Sequence, residues 1–271
     1  MAQDKREKPI GIFDSGIGGL TVAQAIVQAL PQERLVYFGD TAHLPYGDKS
    51  TAAIQAYAVK ICDLLLRQQC KVILIACNSA SAAAYELVKE YVGSKARVLN
   101  VIDPVVKHIG ETYPNRTIGL IGTKQTVNSN VYRKKVDELD LGITLKSHAT
   151  PLLAAMIEEG FFNDTISESV IHAYLSDPGL VGIEALILGC THYPLIKKQI
   201  ENYYQGQVDV LDASQIVARH VQSFLEANSL ASDKLVGDHS FYVSDFTQSF
   251  EESTRIFFQR EVHLEHYPLW E

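Results

Sequence analysis

The sequence predicts an α/β protein built as two pseudo-symmetric, doubly wound halves with a cleft between them. Short continuous apolar runs, each followed by a helix-like stretch, recur almost throughout the chain. That is the pattern of parallel strands covered on both faces. The polar residues that break the runs sit just past their carboxyl ends, where open α/β sheets bind ligands. One unit also occurs twice: an apolar strand, a small residue, a cysteine and a cap-type residue, at Val72–Asn78 and again at Glu184–Thr191.

The elements follow in order. Pro9 to Phe13 reads as a strand ending in Asp14-Ser15, with Gly16-Ile17-Gly18-Gly19 and a helix to Leu30 behind it. Leu35 to Phe38 is a second strand ending in Gly39-Asp40. A loop with Pro45, Tyr46 and Gly47 leads to a helix from about Ser50 to Gln69. Val72 to Ala76 is a buried strand with Cys77-Asn78 at its end, and Ala80 to Val92 is a helix. Val98 to Ile102 reads as a further strand. The order then starts again: Thr117 to Ile121 ends in Gly122-Thr123, and Ala185 to Leu188 ends in Gly189-Cys190-Thr191 before a helix from about Leu195 to Tyr204. A helix after Ala213 and a strand-like run at Ser240 to Ser244 are expected to return to the first half. No Ser- or Pro-rich linker divides the chain, so the expected domains are 1–100 with 210–271, and 101–209.

The chain has 271 residues, enough for one large or two ordinary domains. A net charge of −8 argues against a nucleic-acid surface. The short basic runs at Arg133-Lys134-Lys135 and Lys197-Lys198 read as solvated helix faces. No apolar run approaches the ~18 residues of a membrane span, and Met1 to Lys8 lacks the apolar core of a signal peptide. The expected setting is cytoplasmic, where the four cysteines stay thiols. None form a CxxC pair, so neither a zinc site nor a redox pair is expected.

Cys77 and Cys190 are the candidate chemical groups. A cysteine between a strand end and a helix start feels the positive end of the helix dipole, which favours thiolate. Asn78 and Thr191 are good N-cap residues and support that reading. Taken alone, Cys77 reads more readily as a small buried apolar residue. Its repetition at Cys190 is hard to explain by packing. Cys62 and Cys70 lack the setting and read as structural. Two acid–base groups on opposite faces of a substrate suit removal of a weakly acidic proton on one side and delivery on the other. Asp14 and His192 are candidates to relay protons to them. Gly16 to Gly19 is neither a dinucleotide fingerprint, since Thr21 stands where the third glycine belongs, nor a Walker loop. It is expected to turn tightly and offer amide N–H groups to an anion such as a substrate carboxylate. No metal site, PLP-type lysine, GxSxG elbow or HExxH pair stands out.

Several blocks then agree, in order and spacing, with one family. Gly11-Ile12-Phe13-Asp14-Ser15-Gly16-Ile17-Gly18-Gly19-Leu20-Thr21-Val22, Gly39-Asp40-Thr41-Ala42-His43-Leu44-Pro45-Tyr46-Gly47, Ala76-Cys77-Asn78-Ser79-Ala80-Ser81-Ala82 and Leu188-Gly189-Cys190-Thr191-His192-Tyr193-Pro194-Leu195 resemble the signatures of glutamate racemases. The resemblance to this aspartate/glutamate racemase family runs from about residue 9 to 220. It implies interconversion of L- and D-glutamate without a cofactor, feeding peptidoglycan synthesis, by a homodimer of two α/β domains. It also implies that Cys77 takes the proton from the D-isomer with help from Asp14, and Cys190 from the L-isomer with help from His192. A glutamate assists Cys190, with Glu158 the better match and Glu159 in reserve. Substrate contacts are implied for Asp14, Ser15, Tyr46, Gly47, Asn78, Ser79, Thr191 and His192, with Thr123 beside them. Ser79 and Ser81 depart from the family's usual Thr, and Ala154-Ala155 from its Val-Pro. The competing readings are an aspartate racemase or a related two-cysteine racemase or isomerase, and a non-catalytic amino-acid-binding protein.

Overall fold

The computed structural model describes residues 5–162, 164–234 and 237–271. Of the polar opening stretch, residues 1–4 lie outside these, and Lys5–Glu7 form a single 3-10 turn.

Two separate parallel sheets form the frame. Strands β1 (Ile10–Asp14), β2 (Leu35–Gly39), β3 (Val72–Ile75) and β4 (Arg97–Asn100) belong to the first, and β5 (Thr117–Gly122), β6 (Thr144–Ala149), β7 (Ala185–Gly189) and β8 (Asp209–Leu211) to the second. Strands β9 (Ser240–Val243) and β10 (Glu265–His266) complete the first. Its order is β10-β9-β2-β1-β3-β4, and the second runs β6-β5-β7-β8. All pairings are parallel, with Ile10 opposite both Leu35 and Val72, and Ile118 opposite both Leu145 and Ala185. The chain thus returns to its first sheet, because β9 pairs with β2.

Burial explains which runs are strands. Every residue of β1, β2, β3 and β7 is buried, as continuous apolar runs require. Each fully buried Ile, Leu or Val contributes roughly 1.5–3 kcal/mol. Strand β6 is an edge strand of mostly half-buried residues, and its sequence Thr-Leu-Lys-Ser-His-Ala carries no such run.

Helices α1 (Leu20–Ala29), α2 (Thr51–Arg67), α3 (Asn78–Val92), α4 (Ile102–Thr112), α5 (Lys124–Asn128), α6 (Val131–Asp137), α7 (Pro151–Glu158), α8 (Thr165–Leu175), α9 (Lys197–Tyr204), α10 (Ala213–Ala227) and α11 (Gln248–Phe258) cover the sheets. Helix α10 lies against both α1 and α4 and so ties the halves together. One buried apolar cluster likewise runs from Ile10 and Leu74 of the first sheet to Leu186 and Leu188 of the second.

Two local expectations are corrected. The strand read to Ile102 stops at Asn100, whose side-chain oxygen accepts from the amides of Ile102 (2.8 Å) and Asp103 (2.9 Å) and starts α4. The helix after Cys190 does not begin at once. Thr191 is not an N-cap, a 3-10 turn spans Tyr193–Ile196, and α9 starts only at Lys197.

Candidate active site

The carboxyl ends of the two sheets meet across a narrow cavity. Its wall includes Ser15, Pro45, Tyr46, Gly47, Cys77, Asn78 and Ser79 from the first half and Thr123, Ala154, Glu158, Gly189, Cys190, Thr191 and His192 from the second. It encloses only about 30 Å³. One water needs about 10–15 Å³ of such space, so the cavity holds about two or three waters, and a dicarboxylic amino acid needs the walls to move apart. A larger cavity of about 630 Å³ lies at the opposite strand ends, around Lys71, Ala96 and Ser229, and neither Cys77 nor Cys190 opens onto it.

Cys77 stands at the N-cap of α3, with the Ala80 amide donating to its sulfur at 3.4 Å. This corrects the reading of Asn78 as the cap: the cysteine itself takes the cap position, and Asn78 is the first helical residue. The thiol donates to Ser15 Oγ at 3.7 Å. Burial, then the nearby Asp14 charge, pushes the Cys77 thiol up to about 12, against the pull of the Ala80 amide and Ser15. Cys77 therefore rests as a thiol.

Asp14 is fully buried behind this wall. Its Oδ2 accepts from the amides of Gly16 (3.1 Å) and Gly19 (3.0 Å). The glycine loop does cradle an anion, but these two amides serve the protein's own Asp14 rather than a substrate carboxylate. Burial raises the Asp14 pKa, opposed by His192 and the two amides. Its other oxygen, Oδ1, has no hydrogen-bond partner among the described residues.

Across the cavity, Cys190 Sγ lies 3.5 Å from His192 Nδ1, and His192 Nε2 lies 2.8 Å from Glu158 Oε1. Burial alone would depress the His192 pKa. The negative charges of Cys190 and Glu158 and their hydrogen bonds outweigh it and hold the imidazole well above its usual value. These contacts favour the imidazolium form of the ring. Glu158 ends α7, whereas Glu159 is exposed and off the wall. The geometry thus settles which glutamate meets His192.

The remaining expected residues are also on the wall. Ser79 Oγ and Thr123 Oγ1 are 2.8 Å apart, joining the halves. Asn78 Oδ1 accepts from the buried Tyr132 hydroxyl at 2.9 Å, which leaves the amide nitrogen of Asn78 free of that bond. The Tyr46 hydroxyl donates to Asp40 at 2.6 Å and is committed there. Gly47 packs so tightly on Thr123 that a Cβ would sit 2.8 Å from Thr123 Cβ. Thr191 accepts at its carbonyl from Thr21 Oγ1 at 2.8 Å, a further bond between the halves.

Sequence reasoning missed Pro45, Ala154 and Gly189 as wall residues and Tyr132 and Tyr37 as supports. Tyr37 donates to the Gly16 carbonyl at 2.8 Å and holds the loop. A buried tyrosine needs a partner for its hydroxyl, but nothing in the chain order says which. Cys62 and Cys70 are buried away from the cavity, and desolvation raises both thiols, Cys70 to about 12. Among the described residues no group of three His, Cys, Asp or Glu is placed to hold a metal, and no helix is long and apolar enough to cross a membrane.

Comparison with known proteins agrees with this geometry. The Asp/Glu/Hydantoin racemase family model matches residues 10–221. A glutamate racemase from Chlorobaculum parvum is 38% identical over 265 residues, covering 97% of both chains. The crystal structure of glutamate racemase from Francisella tularensis in complex with D-glutamate superposes with a TM-score of 0.91 at 39% identity, covering 98% of this chain and 99% of that one. The Thermus thermophilus glutamate racemase structure, in complex with beta-chloro-D-alanine, gives 0.86 at 37% identity over 97% of each. With more than three quarters of its length matched and both cysteine blocks inside the match, this chain belongs to the Asp/Glu/Hydantoin racemase family.

Proposed function

We propose that this chain interconverts L- and D-glutamate by moving a proton between Cα and two facing cysteines, with no cofactor. The observation that carries the reading is the pairing of two thiols with unlike surroundings at the ends of β3 and β7. Cys77 rests as a thiol, raised to about 12, while Cys190 sits beside the His192 imidazolium. The pair therefore has one proton to give and one cationic partner for a thiolate.

With L-glutamate bound, the Cys190 thiolate takes the Cα proton, breaking C–H and forming S–H. The Cys77 thiol gives its proton to the opposite face, and D-glutamate results with the two sulfurs exchanged in protonation. In the reverse direction Cys77 must first lose its proton, and Cys190 must gain one, which His192 at 3.5 Å is placed to give. Asp14 is suited to receive it, since burial favours its neutral form and one oxygen is unpartnered. Protonating Asp14 also removes the charge that opposes a Cys77 thiolate.

Glutamate as substrate is supported by the names of the relatives and by D-glutamate in the Francisella complex. Ser15, Tyr46, Gly47, Asn78, Ser79, Thr123, Thr191 and His192 are the proposed substrate contacts. The hydroxyl proton of Tyr46 is given to Asp40, so a donor to substrate at this position comes from the backbone. The same proposal includes two domains, 1–100 with 210–271 and 101–209, a homodimer in the cytoplasm, and D-glutamate supply for peptidoglycan. Circular dichroism of L-glutamate incubated with chelator-treated protein tests the activity. Decay of the signal without added PLP or metal supports the proposal. Decay with aspartate and not glutamate moves the substrate, and no decay with either rejects it.

A further inference from the structure

The fully buried carboxylate of Asp40 is the hub of a network that the proton-transfer chemistry does not use. Its Oδ1 accepts from Ser244 Oγ at 2.7 Å and from the Trp270 indole N–H at 2.7 Å. Its Oδ2 accepts from the Tyr46 hydroxyl at 2.6 Å, and His43 Nδ1 lies 3.1 Å from both oxygens. These donors come from widely separated stretches: the turn after β2, the cleft-lining loop, the end of β9 and the segment after β10. Trp270 is the only tryptophan of the chain. Its ring meets His43 edge-on with centroids 4.5 Å apart and Tyr57 at 5.5 Å, and Lys60 Nζ lies 4.6 Å from its centre. His43 in turn stacks on Tyr57 at 4.1 Å.

A buried carboxylate left short of donors is costly, and hydrogen bonds to charged groups are among the strongest a protein makes. Asp40 therefore has its orientation fixed by Ser244 and Trp270 on one oxygen, and this aims the other oxygen at Tyr46. Tyr46 opens the Tyr46–Asp48 turn, whose Gly47 packs against Thr123 across the cleft. We infer that Trp270 is a positioning residue for substrate binding: through Asp40 it sets where Tyr46 and Gly47 present their backbone to glutamate. This rests on the reading of the Pro45–Gly47 wall as a substrate contact. Trp270 touches neither cysteine, so its influence falls on binding and not on proton transfer.

Trp270→Phe keeps an aromatic ring and removes the N–H. The expected result is a KM for both enantiomers raised roughly three- to tenfold with kcat changed less than about twofold, because only part of the strength of a hydrogen bond to a charged group is passed on through Asp40. Ser244→Ala, which removes the other donor to the same oxygen, should give the same split, and the double variant less than the product of the two. Leu264→Ala is the stability control: it empties core beside β10 without reaching Asp40, and should lower Tm while leaving KM in place. A Trp270→Phe enzyme with unchanged KM, or a KM that simply follows Tm across all four variants, overturns the inference. A readout free of catalysis separates this from the activity itself. Tyr46→Phe should shift the Trp270 emission maximum, because Asp40 loses the donor that balances the indole. An unchanged spectrum also overturns the inference, whereas a shift in a protein that does not racemise glutamate leaves the network standing and rejects the activity.

Discussion

Replacing Gly18 by alanine should damage activity far more than stability. A Cβ at Gly18 would fall 2.3 Å from His192 Cε1, 2.6 Å from His192 Nδ1 and 2.7 Å from Thr191 Oγ1. Ordinary contact needs about 3.4 Å or more, so the imidazole or the loop must give way by roughly 1 Å. The structure can yield by parting the halves, because the cleft opens for substrate in any case. The overpacking cost of about 1–3 kcal/mol is then largely avoided in the open form. The closed form is another matter, since His192 is held within 3.5 Å of Cys190 and 2.8 Å of Glu158. A displacement of that size at a reacting geometry costs on the order of a hundredfold, so kcat/KM should fall roughly a hundredfold while Tm moves only a few degrees. Gly16 is the internal control. Its Cβ would meet nothing nearer than Leu44 Cδ2 at 3.6 Å, and its backbone is not left-handed, so Gly16→Ala should stay within about twofold of the parent. Steady-state kinetics and thermal melts of the two variants decide the matter. A Gly18→Ala enzyme with near-normal kcat/KM, or equal damage from Gly16→Ala, would refute the reasoning.

Other perturbations test separate links. Glu158→Gln weakens the charge that keeps His192 protonated, and that carboxylate is only about one quarter exposed (26%). The alkaline limb of kcat/KM should move acidward. Because the native His192 pKa is raised, its stabilisation is complete below about 6.5 and lost as pH climbs through the raised value. The Tm gap between parent and Glu158→Gln should accordingly be widest near pH 6 and shrink in alkali; a gap that widens with pH would reverse the assignment. Cys190→Ala should cut racemisation at least about a thousandfold, yet still let Cys77 exchange the Cα proton of D-glutamate with solvent without inversion; exchange of L-glutamate instead would swap the sides. Lys71 and Glu33 form a buried ion pair at 2.6 Å at the far ends of β3 and β2, with both side chains only 2% exposed. Lys71→Met leaves Glu33 without that partner and should cost about 3–5 kcal/mol of stability by denaturant titration, with kcat/KM unchanged in the folded fraction.

The assignment of sides needs care in any such assay. The enantiomers are equal in free energy, so kcat/KM must be the same in both directions at every pH, for any variant. A lesion at His192 therefore shows its side only in kcat and KM taken separately, or in one-sided exchange.

Much of this was legible in the chain because burial writes itself into composition. Runs such as Val72–Ile75 and Ala185–Gly189 are short for helices and rich in Val, Ile and Leu, so they read as strands covered on both faces, and the cysteines beyond them inherit the strand ends. What escaped reading depended on partners distant in sequence. Strand β6 is half-polar because it is an edge, and β10 is two residues long and makes sense only beside β9. The Gly16–Gly19 amides were legible as an anion cradle, but the anion proved to be Asp14, two residues away from the first of them. Asn78 has the better cap chemistry, yet the backbone places Cys77 at the N-cap. The bond from Trp270 to Asp40 joins residues 230 positions apart and leaves no local signal.

The central claim is that two cysteines act on opposite faces of one carbon. It is tested most directly by running the reaction in D₂O from protiated L-glutamate and reading both enantiomers at early conversion by NMR. The account predicts D-glutamate carrying deuterium at Cα while the remaining L-glutamate keeps its protium. Protium carried over into the D-product, or deuterium appearing in recovered L-glutamate as fast as inversion, would mean that a single group handles both faces and would contradict it.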